Sequence, residues 1–105
     1  TAEDPRSESL KAINDEIEVG FTKSLKTVNS SSSDETSLPH QLIRFDDDTQ
    51  NVKVRRDALI KAFDIANNGD IVIICGKAHE QSLCFGNTEY PWNDIDEAKK
   101  LLKEK

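Results

Sequence analysis

Leu10, Ile13 and Ile17 recur at i, i+3 and i+7 within SESLKAINDEIEVGF. That is the spacing of one helix face, so the pattern predicts a first helix. Ser7 or Ser9 is placed to cap its start, Glu8 suits its first turn, and Gly20 is a C-terminal stop signal. A second helical rhythm runs through RRDALIKAFDIANNG, where Leu59, Ile60, Phe63 and Ala66 share a face. Asn67, Asn68 and Gly69 end it. A third lies in DIDEAKKLLKEK, with Ile95, Ala98, Leu101 and Leu102 facing inward. There Asp94 and Glu97 read as a capping-box pair, and lysines crowd the end where the helix dipole is negative.

Between the helices the period changes. Leu42 to Phe45 and Val52 to Val54 read as short strands, and the acidic DDDTQN between them reads as a hairpin connection. Ile71 to Ile74 are apolar without alternation, the mark of a strand covered on both faces in a parallel sheet. SLCF and EYPW flank Gly86-Asn87, a hairpin turn, and Pro91 keeps the return strand short or at an edge. The stretch from Ser30 to Pro39 is rich in Ser, Asp and Glu, and only Val28 and Leu38 offer anchors nearby. Residues 27–40 are therefore expected to form a flexible insertion. Helices alternating with strands imply an α/β layer sandwich.

Composition narrows the function. The length of 105 residues suits one small domain, and 35% apolar residues suffice for one core. A net charge of −6 argues against a nucleic-acid partner, which needs a basic face. No apolar run approaches the roughly 20 residues that span a bilayer. TAEDPRSES is polar, unlike a signal peptide, and with no Met at position 1 the chain reads as processed or as a piece of something longer. Cys75 and Cys84 fit no CxxC spacing. Cys75, ending an apolar run, is expected to be a small buried hydrophobe, and two unpaired thiols fit a reducing cytoplasm. Asp46, Asp47 and Asp48 lack the Gly and terminal Glu of a calcium loop, so no metal site is expected.

The candidate chemistry lies in DIVIICGKAHEQS, where Gly76 is followed closely by Lys77, His79 and Glu80. Such a cluster is either a solvated loop or a binding edge, since ligands of open α/β sheets gather at the carboxyl ends of strands. A phosphate-cradling Walker loop is excluded by spacing. Gly76 lets a backbone approach a ligand closely, a carboxylate holds an ammonium, and an Arg fork grips a carboxylate. Together these suit an amino acid. Arg6 supplies such a fork, although a surface ion pair with Glu3 or Glu8 is the simpler role for it.

GDIVIICGKAHE resembles the GD-apolar-GKGHE segment near the C-terminus of Mur ligases. TAEDPR is similar to that family's T-x-DNPR, SESLKAINDEI to its SEDP-x-x-I-x-DI, RRDALIKAF to its DRxxAI helix start, and YPWNDIDEAKKLL to its closing x-F-x-D-x-x-x-A helix. The segments keep one order along most of the chain. The resemblance implies a Rossmann-like three-layer sandwich, with a mostly parallel sheet and an edge hairpin. It implies that residues 1–105 are a single, partial C-terminal domain of an ATP- and Mg2+-dependent amide ligase. Such an enzyme extends a UDP-MurNAc-peptide in cell-wall peptidoglycan synthesis. N-terminal and central domains would carry the P-loop, so the chain alone should bind no cofactor and be inactive.

In the branch that uses meso-diaminopimelate, matching positions make Glu3, Asp4, Pro5, Arg6, Gly76 and Glu80 the amino-acid-binding residues. Arg6 would pair with the distal carboxylate and Glu80 with the distal ammonium, with Lys77 and His79 in support and no catalytic residue in this chain. Glu3 for Asp, Asp4 for Asn and Ala78 for Gly depart from the pattern; Arg55 stands at its Asp and Arg56 at its Arg. Two alternatives stay open: another Mur-superfamily ligase adding a different amino acid, or a non-catalytic Rossmann-like binding or scaffold module. A P-loop upstream would favour the ligase.

Overall fold

The structure, a computed structural model, describes residues 1–31, 40–46, 51–77 and 79–105. Helix α1 spans Leu10–Ser31, α2 Lys53–Ile65 and α3 Asp94–Glu104, while strands β1 (Ser82–Phe85) and β2 (Thr88–Pro91) lie between α2 and α3. No helix among the described residues is long and apolar enough to cross a membrane.

The hairpin forms as the turn chemistry predicts. Leu83 pairs with Tyr90 and Phe85 with Thr88 in an antiparallel register. Gly86 opens the turn at φ 59, a conformation glycine adopts without strain. Leu83, Cys84 and Phe85 are buried, whereas β2 is largely exposed. Phe85 also meets Tyr90 edge to face, with ring centroids 6.0 Å apart. Around β1 the core gathers Ala2, Leu10, Val54, Leu59 and Trp92, with Phe45, Ile74 and Leu101 packed against it.

Helix α2 buries Val54, Arg55, Leu59 and Phe63, while Ile60 is 38% exposed. It begins at Lys53, so Val52 to Val54 is not a strand. The Arg56 amide donates to the Val52 carbonyl at 3.0 Å. Three residues are too few to separate a period of 2 from one of 3.6, and here the helix that follows extends back over them.

Helix α3 is capped by Asn93, whose side-chain oxygen accepts from the Ile95 and Asp96 amides. The expected Asp94–Glu97 capping pair does not form. Both carboxylates are buried and bound to arginines of α2, while Ile95 and Leu102 face outward.

Helix α1 does start at Ser9, whose Oγ accepts from the Ala12 amide at 3.2 Å. Gly20 does not end it. A glycine in a helix costs only about 1 kcal/mol, and no proline follows until Pro39. The expected insertion thus begins as helix through Ser31, and residues 32–39 lie outside the described residues. Leu10 and Asn14 are buried, but Ile17 is exposed. Arg44 ties α1 to the segment 40–46, donating to Asp15, Glu18 and Asp46 at 2.7 to 2.9 Å.

The expected buried parallel strand is absent. Residues 71–75 have no strand pairing, and Ile71 and Ile73 are 85% and 78% exposed. Leu42 to Phe45 form no strand either, and the connection at 47–50 lies outside the described residues. A parallel strand needs a neighbour to take its hydrogen bonds and layers over its faces. Among the described residues the one parallel pairing is an isolated bridge between Arg6 and Phe85. The described residues therefore form a small α/β unit of three helices and an antiparallel hairpin, and they do not build the expected three-layer parallel sheet. Cys75, expected to be buried, is exposed like Ile71 and Ile73, and Cys84 is the buried thiol.

Candidate functional site

The first arm of the site is residues 3–6, which run beside β1. The Arg6 amide donates to the Cys84 carbonyl at 3.2 Å, and the Gly86 amide donates to the Arg6 carbonyl at 2.6 Å. Between these bonds Arg6 is held at φ 51, a left-handed conformation that non-glycine residues adopt rarely. Pro5 is buried, and its carbonyl accepts from the Glu8 amide at 2.8 Å, closing a turn ahead of α1. The Arg6 side chain is exposed. Backbone strain over-determined by its surroundings is a feature of sites that hold a side chain for use.

The second arm is residues 76–80. Gly76 takes φ 99, and a Cβ there would lie 3.2 Å from the Glu3 carboxyl carbon. The positive φ calls for glycine, and a Cβ would in addition crowd the exposed Glu3 side chain, which would have to give by a few tenths of an ångström. Lys77 turns inward and is 3% exposed, with its Nζ 2.6 Å from Asp4 Oδ2. Asp4 Oδ1 accepts from the Cys84 amide at 2.8 Å, so this carboxylate joins the second arm to β1. His79 and Glu80 are exposed, and Ala78 lies outside the described residues.

The electrostatics follow from these contacts. Burial disfavours the Asp4 carboxylate, but the bonds from Lys77 and the Cys84 amide and the charges of Lys77 and Arg6 outweigh it, holding Asp4 below its usual pKa. Glu80 is also held low. Its own backbone amide is the largest cause; slight burial opposes, and the charges of His79 and Lys77 and the His79 amide add to the lowering. Both carboxylates stay ionised at neutral pH. The Arg6 and Glu80 side chains carry opposite charges on the two arms, and no hydrogen bond or ion pair joins them among the described residues.

The structure thus brings Glu3 to Gly76 and Asp4 to Lys77. Arg6, His79 and Glu80 stay exposed on the same two arms. Lys77 is a strut between the arms, a role its spacing alone did not reveal.

Sequence reasoning also missed the group beneath both arms. Arg55 donates to Asp94 through Nε at 2.9 Å and Nη2 at 2.7 Å, to the Ala2 carbonyl through Nη1 at 2.8 Å and to the Cys75 carbonyl through Nη2 at 3.0 Å. Trp92 Nε1 donates to the same Asp94 at 2.6 Å. Arg56 is partly exposed, over the Trp92 ring and against Glu97. A signal existed in the letters: aligning DRxxAI on Ala58 puts Arg55, not Arg56, at the motif's Arg and Val54 at its Asp.

Over 104 residues the chain is 36% identical to UDP-N-acetylmuramyl-tripeptide synthetase of Roseiflexus sp., a match covering 99% of this chain and 17% of that protein. It is 30% identical over 100 residues to the protein of the same name from Borreliella afzelii, covering 95% and 16%. The chain is a Mur ligase homologue. A third relative, the UDP-N-acetylmuramoyl-L-alanyl-D-glutamate–2,6-diaminopimelate ligase of Coxiella burnetii, is 32% identical over 102 residues, covering 97% and 16%. This Mur ligase homologue therefore spans about a sixth of the length of the curated relatives it matches. No family model matches it, and no solved structure does.

The described residues do not fit the ATP and Mg2+ that the family implies. Lys77, the lysine beside a glycine, is buried on Asp4 and cannot reach a phosphate. The described residues hold no cluster of three or more His, Cys, Asp or Glu able to ligate a metal.

Proposed function

We propose that this chain is the amino-acid-presenting, C-terminal part of an ATP-dependent Mur-type ligase of cytoplasmic peptidoglycan synthesis. The observation that carries this reading is the pairing of the two arms, Glu3 on Gly76 and Asp4 on Lys77, with Arg6 and Glu80 left exposed. The incoming amino acid lies between the arms. Arg6 grips a distal carboxylate with its fork, and Glu80 accepts from an ammonium. Glu3, Asp4, Pro5 and Gly76 shape the cleft, and His79 lines it. A substrate with both distal groups is a diamino diacid, and meso-diaminopimelate is the one this site takes. The acceptor is the UDP-MurNAc-peptide, and ATP and Mg2+ act on it from central and N-terminal domains of the longer protein.

In that protein residues 71–74 and 42–45 are strands of a Rossmann-like sheet, which gives Ile71 and Ile73 the cover they lack here. This chain alone turns over no ATP, because it has no phosphate-cradling loop.

The test is ligation of UDP-N-acetylmuramoyl-L-alanyl-D-glutamate by the longer protein, with diaminopimelate and with lysine. Arg6→Ala should cost about 2–5 kcal/mol in kcat/KM for diaminopimelate, because a carboxylate loses its partner, and far less for lysine. Equal losses for the two amino acids would assign Arg6 to the fold and remove the site. ATP turnover by the purified chain alone would overturn the division of labour.

A further inference from the structure

Arg55 reaches farther than a structural ion pair requires. Asp94 alone would neutralise it, through two parallel bonds of 2.9 and 2.7 Å. Yet the same guanidinium, 4% exposed, also donates to the Ala2 and Cys75 carbonyls. Ala2 immediately precedes the arm Glu3–Arg6, and Cys75 immediately precedes the arm Gly76–Glu80. The two arms have no strand pairing with each other; side-chain contacts, chiefly Lys77 to Asp4, join them.

We propose that Arg55 is a positioning residue that sets the separation of the two arms, and through it the length of amino acid that the cleft accepts. The proposal rests on the amino-acid site proposed above. A guanidinium is planar and its donors diverge at fixed angles, so two carbonyls bound to it are held at a fixed spacing. Asp94 fixes the fork in turn, and Trp92 Nε1 fixes Asp94. Because Arg55 belongs to α2 and Asp94 to α3, the packing of these two helices is transmitted to the mouth of the cleft. Lysine could not substitute. Its ammonium is a point charge on a flexible stem and cannot hold Asp94 and both carbonyls in one plane.

The experiment compares the wild-type chain, Arg55→Lys and Trp92→Phe by amide NMR. Trp92→Phe keeps most of the ring but removes the donor that orients Asp94. Backbone relaxation of residues 3–6, 76, 77, 79 and 80 reports the arms, and exchange of the Leu83 and Tyr90 amides reports the hairpin. Titrations with meso-diaminopimelate and L-lysine report selectivity. In Arg55→Lys the arms should become mobile while hairpin exchange stays within about threefold of wild type. Diaminopimelate affinity should fall at least tenfold, and the diaminopimelate-to-lysine ratio should narrow. Trp92→Phe should move the same readouts in the same direction by two- to threefold.

Unchanged arms in either folded variant would overturn the proposal, as would loosening of hairpin and arms together. Should Arg55→Lys fail to fold, the arms in Trp92→Phe decide alone. A wild-type chain that binds neither amino acid would remove the amino-acid reading and with it selectivity, while arm mobility would still judge the positioning role.

Discussion

Residues 71–74 (IVII) and 82–85 (SLCF) are both largely apolar tetrads, and the first is the more hydrophobic. Their fates are opposite. Leu83 is 0% exposed and pairs across a hairpin, whereas Ile71 is 85% exposed and pairs with nothing in the described residues. The difference lies in how far away the partner is in sequence. β1 needs only β2, delivered two residues later by Gly86 and Asn87. A parallel strand needs partners brought by long crossovers. Hydrophobicity tells which segments seek cover, and connectivity decides which find it within a given stretch of chain.

The largest effect that would sharpen this contrast lies on the covered side. Asp94→Ala should cost about 3–5 kcal/mol, because it leaves the Arg55 charge buried without its carboxylate. Replacing both partners with apolar residues of similar volume should cost much less, since the desolvation of two charges is removed with their attraction. Urea denaturation of the single and double variants separates these cases. A double variant as unstable as the single would mean that Arg55 stabilises mainly through the Ala2 and Cys75 carbonyls.

Next come matched truncations of the tetrads themselves. Leu83→Ala should cost about 2–5 kcal/mol, the usual range for a buried leucine. Ile73→Ala, at a side chain 78% exposed, should change stability by no more than about 0.5 kcal/mol in this chain. If Ile73→Ala destabilised the chain as much as Leu83→Ala, residues 71–74 would already be buried in solution, and the two tetrads would not differ.

Acid should act on the covered side as well. Burial disfavours the charged form of Asp94, but the bonds from Arg55 and Trp92 outweigh it and hold its pKa below the ordinary aspartate value. Glu97 is held low too, where burial is outweighed by Arg56 and Lys100. A carboxylate whose folded pKa lies below its unfolded one contributes stability that is fully present above the unfolded value of about 4. That contribution disappears as pH falls through the folded value. The contribution of these two carboxylates should therefore decline below about pH 5. Asp94→Asn should flatten the decline, read as the pH dependence of the denaturation midpoint. An unchanged slope would exclude Asp94 as a source of acid sensitivity.

What was legible in the letters was local. The hairpin was readable because Gly86-Asn87 between two short apolar runs specifies a turn without knowledge of anything distant. Helix α2 was readable over Leu59 and Phe63 by period. The misreadings in α3 share one cause, competition from tertiary contacts. Asp94 sits where a cap belongs, but a buried arginine 39 residues away claims it, and Asn93 takes the cap. Ile95 fits an inward face by spacing, yet α3 turns Asp94 and Glu97 toward α2. At the candidate site, the resemblance pointed to both segments, because their motifs are contiguous. It could not find that Lys77 faces Asp4, or that Arg55 underlies both arms, because those facts join residues far apart in sequence.

The smallest effect concerns α1, whose middle turns around Ile17 and Val19 offer a third kind of region, with neither a strand partner nor a deep core among the described residues. Leu10 and Asn14 are buried near its start, but Ile17 and Val19 are 56% and 54% exposed. Where packing contributes little, intrinsic propensity carries more of the helix. Gly20 has no positive φ, and a Cβ built there meets nothing within 4 Å. Gly20→Ala should therefore raise helix content by circular dichroism and stabilise the chain by about 0.5–1 kcal/mol. Fast amide exchange around Lys23 should slow with it, while the hairpin amides stay unchanged. Destabilisation by alanine would mean that Gly20 approaches another surface in solution, and that α1, like Ile73, is covered in a way its exposure does not reveal.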